Sequence, residues 1–294
     1  MTMPNLPIVP SDAVEEYPVF TPAPRVRHLP HMGHALLFVA IAAALLLAVQ
    51  GSAMGLARAL HWFPHHTYAE LAKDPMMVVV TEALAYLLTL GLAATVFPML
   101  WQRSFSEGLQ WNAAAVRWPL RLIGLGFALA IISSTLEQVL PMPKNPPIED
   151  FFQGRAGVWM ITAFGTLLAP VFEEICFRGF LLPAFAIAWD WVSGEWNQEK
   201  RLRWESSTGY SRAALIFAAI VTSIGFACLH AEQLAHAWGP IAVLFCVSIV
   251  LTVVRVRMRS VAASALVHAG YNFFLFAVMF VGTGGYRHLD KLKG

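Results

Sequence analysis

The sequence predicts an all-α, polytopic membrane helix bundle of about seven to eight transmembrane helices. Three observations carry that expectation. The first is composition: 57% of the 294 residues are hydrophobic and 13% are charged, roughly half the charge of a typical soluble domain. The second is length, because apolar runs repeatedly reach the ~18–20 residues needed to cross a hydrocarbon core about 30 Å thick. The third is pattern. No segment shows the period-two alternation of a membrane β-barrel, and lipid leaves helices as the other way to satisfy a spanning backbone.

Residues 1–33 are polar and proline-rich, which predicts a flexible tail. A cleavable leader would open on a basic stretch followed by a short apolar core. Here the first apolar run begins near His34 at full membrane length, so an uncleaved anchor is expected. Seven apolar segments follow, at about 34–60, 75–101, 117–140, 156–191, 213–235, 237–256 and 260–283. They divide into N-terminal membrane helices over 34–150, a second membrane region over 151–285 and a C-terminal tail over 286–294. Segment 156–191 would be roughly 50 Å long as one straight helix, so a kink near Pro183 or an interfacial end is expected there. That break could also provide an eighth or re-entrant segment. Gly51-x-x-x-Gly55 in the first helix has the spacing of a close-packing site, although glycine is common in any membrane helix.

Basic residues orient the bundle. With a cytoplasmic N-terminus, the inner side holds Arg25 and Arg27, then Arg103, Arg117 and Arg121, then Lys200, Arg201, Arg203 and Arg212, then Arg255, Arg257 and Arg259. The outer side holds fewer, so the N-terminus is expected in the cytoplasm. A net charge of +2 gives no sign of a nucleic-acid partner; the expected surroundings are the lipid bilayer. Cys176, Cys228 and Cys246 lie in apolar runs without a CxxC spacing, which argues against a disulfide framework or a cysteine zinc site.

Charge at membrane depth is costly and therefore marks candidate function. In 169-APVFEEICFRGFLLP-183, Glu174 and Arg178 are four residues apart and can pair along one helix face. Glu173 lies about 100° around the helix and is left without that cation, so it suits a general base. The same residues could instead be an ion-paired interhelical contact. In 226-FACLH-230, Phe226 and His230 share a face; the histidine could orient water, donate to an oxyanion, bind a metal, or simply be satisfied between helices. In 268-HAGYN-272, His268 and Asn272 share a face and are a plausible donor pair for a tetrahedral oxyanion, or a polar packing pair. Gly270 between them permits close approach of a neighbouring helix or a substrate. Glu232, Gln233 and His236 are read as interface residues.

These three clusters, in this order on three apolar segments, resemble the CPBP family: the type 2 CAAX prenyl endopeptidases together with bacteriocin-processing and Abi-like membrane proteases. The family pattern EExxxR, FxxxH and HxxxN or HxxxD is matched by EEICFR at 173–178, FACLH at 226–230 and HAGYN at 268–272, within a resemblance covering about 155–280. It implies an intramembrane endopeptidase acting on a membrane-associated protein or peptide, in a cell membrane expected to be bacterial. On that reading Glu173 activates water with help from His230. Glu174 and Arg178 shape the site, and His268 and Asn272 stabilise the oxyanion. A zinc held by Glu173, His230 and His268 is the alternative; metal-independent chemistry is the preferred expectation. No HExxH, GxSG or GxGD motif occurs. Two other function classes remain: a non-proteolytic immunity or chaperone protein on the same scaffold, and an ion-coupled transporter. The first three helices carry few charges at depth for a transport path, Glu82 and Glu137 among them.

Overall fold

In lipid, a backbone amide that does not bond within its own helix has no water to turn to, so each long apolar run closes its own i→i−4 ladder. The computed structural model describes residues 29–62, 67–113, 117–141, 143, 147–152, 154–194 and 209–292. The expected N-terminal tail therefore lies outside the described residues up to position 28, as do residues 293–294 of the C-terminal one. Among the described residues seven helices are long and apolar enough to span a membrane, and no strand occurs. They are α1 (Met32–Ala59), α2 (Pro75–Trp101), α3 (Pro119–Glu137), α4 (Arg155–Ser193), α5 (Arg212–Leu229), α6 (Trp238–Met258) and α7 (Val261–Gly282). The protein is an integral membrane protein with a polytopic helical bundle.

Local chemistry sets the starts and stops. Asp74 caps α2 by accepting from Met77 N, and Pro75 follows at the first turn, where no N–H is needed. Ser211 and Ser260 cap α5 and α7 in the same way, accepting from Ala214 N and Ala263 N. The last turn of α6 ends at Arg259, in the left-handed region at φ 47°. α5 stops at Leu229, short of the expected 235. His230–Ala237 instead forms a tight turn in which Ala235 and His236 both take positive φ.

α4 departs from a straight helix in a way the sequence reading anticipated only partly. It runs unbroken to Ser193, but it contains two widened, π-helical turns, Phe164–Leu168 and Ile175–Leu181. Each ends two residues before a proline, Pro170 and Pro183. Between and within these turns lie Glu173, Glu174 and Arg178, at the middle of the run.

α3 and α7 cross at backbone contact. A Cβ on Gly126 would collide with Val267 O and stand 2.6 Å from Tyr271 N; one on Gly270 would stand 2.9 Å from Ile123 O. The expected close approach at Gly270 is therefore real, and its occupant is α3. Gly51 and Gly55 by contrast face open space within the chain. On the other flank of α4 an aromatic cluster joins α1 and α2 to it: Phe38 stacks on Phe180 at 4.4 Å and Tyr86 on Phe172 at 3.7 Å. Such pairs contribute about 0.5–1.5 kcal/mol each beyond their area. Phe172 and Phe180 bracket the glutamates in sequence, so this packing fixes the rotation of α4 about its axis.

Candidate active site

The rotation of α4 separates its two glutamates as their 100° offset requires. Glu174 is fully buried: its Oε1 accepts from Arg178 Nη1 at 2.7 Å and from His268 Nδ1 at 3.2 Å. Facing a guanidinium, that carboxylate is the acceptor, so His268 Nδ1 is the donor and Nε2 is turned the other way. Nε2 lies 3.9 Å from Glu173 Oε2. Glu173 keeps 12% of its side-chain surface accessible, which makes it the glutamate that water or a substrate can reach.

Arg178 is itself anchored outside the pair. Its Nη2 donates to Ser248 O at 2.8 Å and to Ser248 Oγ at 2.7 Å, and Ser248 Oγ in turn donates to Ser223 Oγ at 3.0 Å. A chain of buried donors thus ties α4 to α6 and α5. This meets the requirement that a buried charge be paired and hydrogen-bonded. The Ser264 hydroxyl also lies against Glu174 and is 3.0 Å from Val261 O.

Phe226 carries the second cluster to the first. Its ring sits 5.0 Å below the Arg178 guanidinium, 5.3 Å from Phe177, 5.7 Å from the His268 ring and 4.9 Å from His230. His230 Nδ1 is 2.9 Å from Phe226 O, so Nδ1 donates and Nε2 bears the lone pair of the neutral ring. Phe226 thus sets this end of α5 against both Arg178 and His268.

Asn272 has a partner that the sequence pattern did not suggest. Its Nδ2 donates to Gly165 O at 2.6 Å. Gly165 O has lost its donor within α4, because the Ala169 N–H goes to Phe164 O in the widened turn and the next residue, Pro170, has no N–H. The asparagine fills that vacancy and retains a second amide hydrogen.

A catalytic zinc takes three protein ligands and an open position. Among the described residues no three His, Cys, Asp or Glu side chains are gathered to hold a metal. Glu173 and His268 approach each other, but His230 does not complete a ligand set with them. The residues do not fit that group in this arrangement.

Residues beyond the three clusters also contribute. Ser223 and Ser248 support Arg178, and Glu82 of α2 lies close enough to Glu173 for their charges to interact. Ser223 stands one turn before Phe226 on α5, a position a helical wheel would have flagged. Arg255, placed by sequence in a cytoplasmic loop, is instead a buried residue of the last turn of α6. Glu232 and His236 stand in the turn after α5, and Gln233 O accepts from Ile148 N at 3.2 Å.

This arrangement of a buried Glu–Arg–His unit beside an accessible glutamate occupies the region matched by a family model. The model is that of the type II CAAX prenyl endopeptidase Rce1-like family, and it matches residues 155–274. Over this region the chain is similar to that family, a likeness that supports an intramembrane protease of the CPBP type. No curated protein and no solved structure matches the chain. The likeness supports intramembrane proteolysis of the CAAX type in general, and with it a peptide or protein substrate.

Proposed function

We propose that this protein is a CPBP-type intramembrane endopeptidase in which Glu173 activates water against a peptide bond of a membrane-associated protein or a prenylated CAAX-like substrate. The observation that carries the reading is the division of labour between adjacent glutamates. Glu174 is committed to Arg178 and His268, while Glu173 is accessible and faces the other side of the same imidazole.

The steps balance without a further reagent. Glu173 takes a proton from water as the oxygen attacks the scissile carbonyl. His268, with Nδ1–H held by Glu174, donates from Nε2 to the oxyanion when doubly protonated, and the second amide hydrogen of Asn272 points to the same duty. The proton on Glu173 then passes to the leaving amine as the C–N bond breaks. His230, through Nε2, assists the proton transfers. No step runs through a metal. The protein sits in a bacterial-type cell membrane with its N-terminus cytoplasmic, the orientation that the distribution of arginines favours.

The test is cleavage of a fluorogenic membrane peptide by purified protein in detergent or liposomes. Glu173→Gln is expected to lower turnover at least 10²–10⁴-fold, the usual worth of a general base, with thermal unfolding unchanged. Near-wild-type turnover would remove Glu173 from the mechanism. In the same assay a chelator is expected to leave the wild-type rate unaltered. Stoichiometric zinc, lost on changing either His230 or His268 to alanine, would replace the metal-free reading.

A further inference from the structure

The two widened turns of α4 share one defect. In the first, the Pro170 nitrogen has no hydrogen to give to Gly165 O, five residues earlier, and Asn272 supplies the missing donor. In the second, the Leu182 N–H bonds to Phe177 O. The next nitrogen is that of Pro183, which cannot donate to Arg178 O, again five residues earlier. That carbonyl is in the buried middle of a spanning helix, where an unmatched acceptor is expensive. It is met by Arg255 of α6: Nε donates to Arg178 O at 3.3 Å, and Nη2 donates to Gln110 Oε1 at 3.0 Å.

We infer that Arg255 is a positioning residue for the reaction, clamping the orphaned carbonyl of Arg178 so that the second widened turn presents Glu173 and Glu174 in working register. Asn272 and Arg255 are then equivalent devices, one on α7 and one on α6. Each closes a proline-made gap, and together they hold the two ends of the glutamate-bearing segment. The spacing Gly165 to Pro170 equals that of Arg178 to Pro183, and in both cases the donor is a side chain from another helix. Arg255 touches neither glutamate by hydrogen bond; it acts through the backbone of the residue whose guanidinium holds Glu174. Gln110 in turn holds Arg255, and its own carbonyl accepts from Val261 N at 3.1 Å. The start of α7 is thereby coupled to the same clamp.

This inference rests on the proposed role of Glu173, and its test separates the two. Arg255→Met keeps the length of the side chain and removes every donor. Pro183→Ala returns an N–H at the position from which Arg178 O can be reached within α4. In the peptide-cleavage assay R255M is expected to lower kcat about 10- to 100-fold with KM little changed, the effect of a misplaced catalytic group. Hydrogen–deuterium exchange should be accelerated across 175–183. The double variant P183A/R255M should recover most of both, because the orphaned carbonyl is again bonded. Wild-type turnover in R255M, or a double variant no better than R255M, overturns the clamp. If R255M fails to accumulate in membranes, accumulation of P183A/R255M supports the clamp and its absence overturns it. An active Glu173→Gln protein would sink the proposed mechanism, yet loss of exchange protection in R255M and its recovery in P183A/R255M would still decide the role of Arg255.

Discussion

At the scale of residues, a buried arginine that serves three masters should be hard to remove. Arg178 is fully buried, pairs with Glu174 and donates twice to Ser248. Arg178→Ala would strand the Glu174 carboxylate in a low-dielectric interior, a change that typically costs about 3–5 kcal/mol. Yield and thermal unfolding temperature are therefore expected to fall along with activity. A well-expressed, heat-stable but inactive Arg178→Ala protein would point to direct contact with substrate instead. The pairing of Glu174 with Arg178, and the different outlook of Glu173, were legible from spacing alone because a helix places i and i+4 on one face. The hydrogen bond from His268 to Glu174 was not, since it depends on the relative height of two helices far apart in sequence. Nor was the bond from Asn272 to Gly165. Its cause is written at Pro170, but its donor lies 107 positions away.

At the scale of elements, seven apolar runs could be marked from hydropathy, and their positions agree with the helices to within a few residues except at the end of α5. What hydropathy could not give was which helices touch. Between apolar helices in lipid, contact is decided by small residues and shape rather than by escape from water. The α3–α7 crossing at Gly126 and Gly270 is the instance that matters most, because α7 carries both His268 and Asn272. Gly126→Ala places a methyl group against the backbone of Val267 and Tyr271. Overpacking of this kind costs about 1–3 kcal/mol. A lowered unfolding temperature and a drop in turnover are expected together, since α7 must move off α3. Gly124→Ala, which meets open space, is the matched control and should behave as wild type. Equal behaviour of the two variants would show that α3 does not set the position of α7.

At the scale of the whole molecule, the hydrogen bonds define two poles. At one, Ser260 Oγ donates to Asn112 O at 2.9 Å and Val261 N donates to Gln110 O, so the α6–α7 turn meets the segment between α2 and α3. At the other, Ile148 N donates to Gln233 O, and Gly239 packs on Pro141, so the segment before α4 meets the turn after α5. An odd number of crossings makes these poles the opposite faces of the membrane. Arg103, Arg117, Arg121, Arg212, Arg257 and Arg259 all belong to the first pole or to the helix ends nearest it. Arginine collects on the cytoplasmic side, so that pole is expected inside the cell even though Arg255 itself is buried. The measurement is labelling of intact cells with an impermeant maleimide, read as the increment over the parent chain with its native cysteines. Arg103→Cys at the first pole should label only after the membrane is breached, whereas Glu232→Cys at the second should label at once; both side chains are exposed. The reverse pattern would invert the bundle and place the α5 end of the site, at His230, nearer the cytoplasm.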